Sequence, residues 1–166
     1  FNLALWKTST IDESVKQALI VENDQAWQEI ISDWLKEQEI EVAVAKSSEE
    51  AQHLVKNNLY DLGLLDIRLG EAPSEDTKGL DIARLIRESS LDTIIVMLTG
   101  YAEYPIMCDA FEIGVDGFID KGSFSNKAAD ELIQLINRAA ARREKEREVA
   151  RQRELNSLLI KELEQQ

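Results

Sequence analysis

The sequence predicts an α/β fold with a five-stranded parallel sheet, doubly wound, on three observations: five short apolar runs, amphipathic segments between them, and polar residues closing the runs. The runs are Ala18 to Val21, Ile40 to Ala45, Leu62 to Ile67, Thr93 to Thr99 and Gly117 to Ile119. They are apolar along their length rather than alternating, as strands covered on both faces must be. Right-handed crossovers between parallel strands then deposit the intervening helices on the two faces.

The segments between the runs carry apolar residues at three- and four-residue spacing. Trp27, Ile30, Ile31, Trp34 and Leu35 mark the first helix, Ala51, Leu54 and Val55 the second, and Leu80, Ala83 and Ile86 the third. Ser47 followed by Glu50 is a capping box for the second helix. The fourth runs from Tyr104 to Ile113, with Pro105 suited to a first turn and Gly114 as its stop, and a fifth begins near Ser125.

Composition narrows the class. The 166 residues carry 44% hydrophobic and 31% charged residues with two prolines, a profile that can bury a core. No apolar run approaches the roughly 20 residues of a membrane-spanning helix, and no secretory leader is visible, so no membrane association and a cytoplasmic location are the expectations. One Cys (Cys108) and one His (His53) exclude an internal disulfide and a Cys/His zinc site. Of the net charge of -13, residues 1–137 contribute 11 Lys/Arg against 26 Asp/Glu and residues 138–166 contribute 8 against 6. The acidic globular part repels phosphate backbones, which argues against direct nucleic-acid binding by this segment.

In open parallel sheets the ligand site lies beyond the carboxyl ends of the strands. There the first run ends in Glu22-Asn23-Asp24, the third in Asp66, the fourth in Thr99-Gly100 and the fifth in Asp120-Lys121. Acids gathered at one rim call for a cation, and oxygen ligands suit a hard ion such as Mg2+. Asp66 has the chemistry of a carboxylate nucleophile toward a phosphoryl donor, with Lys121, the Thr99 hydroxyl and the metal neutralising the phosphoryl oxygens.

The stretches Leu19-Ile20-Val21-Glu22-Asn23-Asp24, Tyr60 to Leu69, Ile95 to Tyr101 and Gly114 to Lys121 together resemble the response-regulator receiver domain of two-component signalling, over roughly residues 17 to 137. The resemblance implies a flavodoxin-like sheet of order 2-1-3-4-5. It implies that Asp66 accepts a phosphoryl group, that Glu22, Asn23, Asp66 and the backbone carbonyl of Arg68 hold Mg2+, and that Lys121 and Thr99 serve the transfer. Thr99 and Phe118 become the switch pair. It also implies a sensor histidine kinase or phosphotransfer protein as donor, and no enzyme activity beyond Mg-dependent self-phosphorylation and dephosphorylation on Asp66.

The sequence departs from the family at three places. Asn23 stands where a second acid is usual, the loop from Gly70 to Gly79 is several residues longer than the norm, and Gly122 replaces the usual proline after Lys121, so no cis peptide is expected there. The first two favour an alternative reading, a phosphorylation-independent pseudo-receiver that acts as a protein-docking module. A phosphatase or phosphotransfer enzyme is disfavoured because Asp66-Ile67-Arg68 lacks a carboxylate two residues on to act as general acid. Trp27 and Trp34 read as partly buried packing rather than a cofactor platform, and His53 as a surface residue.

Residues 126–164 contain no Gly or Pro, which allows one helix of roughly 40 residues and about 60 Å. Leu132, Ile133, Leu135, Ile136 and Ala139 are expected to pack on the sheet. The charged stretch Arg142 to Arg153 is expected to project into solvent, either as a single helix stabilised by pairs such as Glu144 with Arg147 or as a parallel two-stranded coiled coil. Leu155, Leu158, Leu159, Ile160 and Leu163 favour the coiled coil and hence a homodimer. The organisation read from the chain is an N-terminal extension over 1–16, a receiver domain over 17–137 and a helical linker or coiled-coil extension over 138–166.

Overall fold

Each apolar run forms a strand in the computed structural model, which describes residues 10–70, 76–100, 104–123 and 126–165. The strands are β1 (Gln17–Val21), β2 (Glu41–Ala45), β3 (Leu62–Asp66), β4 (Ile94–Thr99) and β5 (Gly117–Asp120). All pairings are parallel and the sheet order is β2-β1-β3-β4-β5. The helices are α1 (Gln25–Glu37), α2 (Ser48–Asn57), α3 (Lys78–Ser89), α4 (Tyr104–Ile113) and α5 (Asn126–Glu164).

The side-chain period of two splits the sheet into two packed faces. Ala18, Ile20, Leu62, Leu64, Val96 and Ile119 meet Ile31 and Leu35 of α1 and Leu132, Ile133 and Ile136 of α5. Leu19, Val21, Leu65, Ile95 and Met97 meet Ala51 and Val55 of α2, Leu80, Ile82, Ala83 and Ile86 of α3, and Ala110 of α4. Each fully buried Leu or Ile stabilises the fold by about 1.5–3 kcal/mol. Ile11 and Val15 join the first face, and Asn137 of α5 holds the same segment, donating to the Thr10 carbonyl at 2.8 Å and accepting from the Asp12 N–H at 2.7 Å.

Local chemistry sets the boundaries. Asp24 caps α1 by accepting from the Ala26 and Trp27 N–H groups. Ser47 caps α2 through the Glu50 N–H, but the Glu50 carboxylate bonds the N–H of Lys46 rather than that of Ser47, one residue outside the usual box. Gly114 ends α4 at φ +94, a backbone state that favours glycine. No helix among the described residues is long and apolar enough to cross a membrane.

α5 runs unbroken for 39 residues. Leu132, Ile133, Ile136, Ala139 and Ala140 are buried, while Leu155, Leu158, Leu159, Ile160 and Leu163 are exposed. One expectation for this helix is corrected: the charged stretch does not lie wholly in solvent. Arg143, with 11% of its side chain exposed, turns back onto Asp116, whose own side chain is 1% exposed. Arg142 and Arg87 bind the same carboxylate, which also accepts from the Ile95 N–H at 2.9 Å. Asp116 therefore ties the start of β4, the start of β5, α3 and the base of the α5 extension together. The crowding shows in Arg87, whose guanidinium is lowered from its ordinary value by burial and by the nearby Arg143, against the pull of Asp116. Further along, Glu144 pairs with Arg147 and Arg151, and Glu148 with Arg151.

Candidate functional site

Strand parity brings the charged residues together. Glu22, Asp66 and Lys121 each lie two residues beyond a side chain of the α1/α5 face, namely Ile20, Leu64 and Ile119, so all three emerge on the same side of the sheet's carboxyl edge. Thr99 follows Met97 and reaches the same edge from the opposite face. Registry aligns the ends, with Val21 beside Leu65, Asp66 beside Leu98 and Thr99 beside Asp120.

Lys121 sits at the centre. Its ammonium donates to Glu22 Oε2 at 2.6 Å and to Asp66 Oδ2 at 3.3 Å. Glu22 has no exposed surface, and its Oε1 accepts from the Asp24 N–H at 3.0 Å. Asp66 is 7% exposed, and its Oδ1 accepts from the Arg68 N–H at 3.3 Å. Trp27, Asp66, Arg68, Thr99, Gly100, Lys121 and Gly122 line an open cleft of about 460 Å3.

Two carboxylates share one ammonium, and the titrations reflect it. Burial, then the neighbouring Glu22 charge, push Asp66 up to about 6 from 3.8, while Lys121 and the Arg68 N–H oppose the rise. Burial alone would lower Lys121, but its hydrogen bond to Glu22 and the charges of Asp66 and Glu22 outweigh it, so the lysine is raised.

Of the residues singled out from sequence, Glu22, Asp66, Lys121 and Thr99 converge at the cleft, with Arg68 on its wall. Asn23 is solvent-exposed and does not line the cleft. Phe118 lies apart, half-buried on the α2–α4 face, with its ring edge-on to Phe111 at 5.3 Å between centroids. The long loop falls partly on residues 71–75, which are outside the described residues.

Two site residues carried weaker signals. Trp27 packs against the core as its helical spacing suggests, yet its ring also faces the cleft, with the Lys121 ammonium 5.4 Å from the ring centroid. Its place one turn after a strand-terminal Glu was the available clue. Gly79, in the first turn of α3, donates its N–H to the Ile67 carbonyl at 3.1 Å. A Cβ at that position would stand 2.0 Å from the Asp66 carbonyl oxygen, so only glycine lets α3 press against the backbone carrying Asp66.

The acidic donors at the site are the Glu22 and Asp66 carboxylates. Among the described residues no group of three or more His, Cys, Asp or Glu side chains gathers to hold a metal. Carboxylate oxygens are the ligand type a hard divalent cation takes, and two of them meet here, at Glu22 and Asp66.

Residues 18–137 match the family model described as the response regulator receiver domain. The chain is 32% identical over 129 residues to the cell cycle transcriptional regulator CtrA of Caulobacter vibrioides, an alignment covering 78% of this chain and 52% of CtrA. The chain spans about half the length of the curated relatives it matches. Among solved structures, a CheY-like receiver domain protein of Methanospirillum hungatei superposes with a TM-score of 0.66 at 24% identity, covering 80% of this chain and 98% of that one. The response regulator TrrA of Thermotoga maritima, solved in complex with Mg(2+)-BeF, superposes at 0.58 with 28% identity, covering 72% and 98%.

Proposed function

This chain belongs to the response regulator receiver domain family, and on that premise we propose that Asp66 takes a phosphoryl group from a phosphohistidine and that the change is passed along α5. The observation that carries the proposal is the shared hold of Glu22 and Asp66 on Lys121 at the mouth of a cleft that Thr99 also lines.

The transfer is chemically simple. An Asp66 carboxylate oxygen attacks phosphorus, the new O–P bond forms as the P–N bond breaks, and the imidazole, whose other ring nitrogen already carries a proton, leaves neutral with the bonding electron pair. Lys121 follows the charge, giving up part of its bond to Glu22 to face a phosphoryl oxygen. The Thr99 hydroxyl meets a second oxygen from the opposite face of the sheet, and Phe118 repacks with it. Glu22, Asn23, Asp66 and the Arg68 backbone carbonyl would hold Mg2+. The bound ion supplies positive charge at the transferring group. Beyond phosphorylation and dephosphorylation of Asp66, no turnover is proposed.

The partners follow from the same reading. A sensor histidine kinase or phosphotransfer protein supplies the phosphohistidine in the cytoplasm, and a second copy of the chain pairs through the exposed leucines of the α5 extension. An output acting beyond the receiver fits the relative named as a transcriptional regulator. The test is acetyl phosphate labelling with Mg2+ on the parent and on Asp66→Asn: label on the parent alone is the expected result, and equal label on both removes the proposal.

A further inference from the structure

We propose that Trp27 is the positioning residue for Lys121: its indole face holds the ammonium at the cleft mouth and keeps water from it while the lysine exchanges Glu22 for the phosphoryl group. The inference rests on the reading of Asp66 as acceptor.

Lys121 follows β5 and opens a short 3-10 turn over Lys121–Ser123. The following residue is Gly122, whose N–H returns to Asp120 Oδ1 at 2.9 Å, and glycine imposes no backbone restraint of its own. Across the cleft Gly100 carries no side chain, and a Cβ there would meet nothing within 4 Å among the described residues. The position of the ammonium therefore depends on what its side chain touches. Those partners are Glu22 at 2.6 Å, Asp66 at 3.3 Å and the Trp27 ring at 5.4 Å. Both carboxylates change role when a phosphoryl group and a cation arrive. The aromatic face does not.

Trp27 is itself well anchored. Asp24 accepts from its N–H at 3.3 Å, and the buried Gln28 side chain donates to the Glu22 carbonyl at 2.6 Å, fixing the first turn of α1 to the end of β1. The ring packs against the α1/α5 core on one side and lines the cleft on the other. An ammonium within about 6 Å of an indole face is attracted by the ring quadrupole, more strongly where water is excluded. Lys121, with 14% of its side chain exposed, meets that condition.

The experiment compares the full chain with Trp27→Leu and Trp27→Phe. Three quantities are measured: the rate of Asp66 labelling by acetyl phosphate, the Mg2+ affinity, and the ring-current shift of the Lys121 Cε protons, which needs no phosphorylation. The parent should show the upfield shift. Trp27→Leu should lose it and label about 3- to 10-fold more slowly at unchanged Mg2+ affinity, and Trp27→Phe should recover most of the rate. A parent without the shift, a Trp27→Leu variant that labels at the parental rate, or two variants equally impaired would each overturn the positioning role. A parent that shows the shift but takes no label on Asp66 overturns the acceptor reading and this inference with it, a pattern distinct from an indifferent Trp27→Leu.

Discussion

The Lys121 ammonium is bonded at 2.6 Å to Glu22 Oε2, a carboxylate without solvent exposure. The shorter of the lysine's two bonds thus goes to the acid that accepts no phosphate in our proposal, and Asp66 is left with a weaker partner and a raised titration.

Burial and the Glu22 charge, which together raise Asp66, make stability depend on pH. Asp66 titrates at about 6 in the fold against an ordinary 3.8, so between those values the folded protein binds more protons than the unfolded chain and stability falls as pH rises. The loss attributable to Asp66 across this window is on the order of 3 kcal/mol. Asp66→Asn removes the titration, so thermal melts of the variant should gain on the parent from pH 4 to 7 in metal-free buffer, by roughly that amount at the upper end. Saturating Mg2+ should shrink the difference, because the cation favours the ionised parent.

Asn23→Asp puts a carboxylate at a solvent-exposed position next to Glu22 in the chain. Mg2+ affinity depends on the number of charged ligands, so titration should give an apparent Kd about 5- to 10-fold lower than the parent's. An unchanged Kd would take Asn23 out of the proposed metal shell.

Gly79→Ala places a methyl group 2.0 Å from the Asp66 carbonyl oxygen and 2.8 Å from Ile67 Cα. Both atoms are backbone, so the clash is relieved only by moving α3 or the end of β3. Equilibrium denaturation should show a loss of about 1–3 kcal/mol, and labelling of Asp66 should slow even where the variant remains folded.

Asp116→Asn leaves the guanidiniums of Arg87 and Arg143 without their buried anion. Breaking such a cluster costs about 3–5 kcal/mol. Amide exchange should rise at the base of the α5 extension and at the start of β4, where the Ile95 N–H loses a charged acceptor.

Leu159→Glu together with Leu163→Glu places charges on two side chains that are 50% and 71% exposed in the single chain. Light scattering should find a dimer for the parent and a monomer for the double variant, with the receiver's melting temperature nearly unchanged. A parent that scatters as a monomer at high concentration removes the pairing.

The strands were legible because doubly covered β-branched and leucine-rich runs leave little alternative, and Asp66, Thr99 and Lys121 because each ends such a run. Trp27 was read as packing alone, since helical spacing reports the face a residue occupies and not that the ring's far side borders a cleft. Arg143 was read as solvated because its sequence neighbours are charged. Its partner Asp116 lies 27 positions away, a pairing no local pattern encodes. Gly79 looked like one more loop residue until the distance to the Asp66 carbonyl gave it a purpose.

The unbroken α5 has a mechanical consequence. It leaves the receiver at Arg143 and runs to Glu164 with no glycine or proline in between, a rigid span of about 32 Å. A tilt of roughly 5° at its Asp116 anchorage would sweep the far end through about 3 Å, as a lever arm magnifies motion at its fulcrum. A sub-ångström rearrangement at that anchorage would thereby become a displacement the size of a side-chain contact.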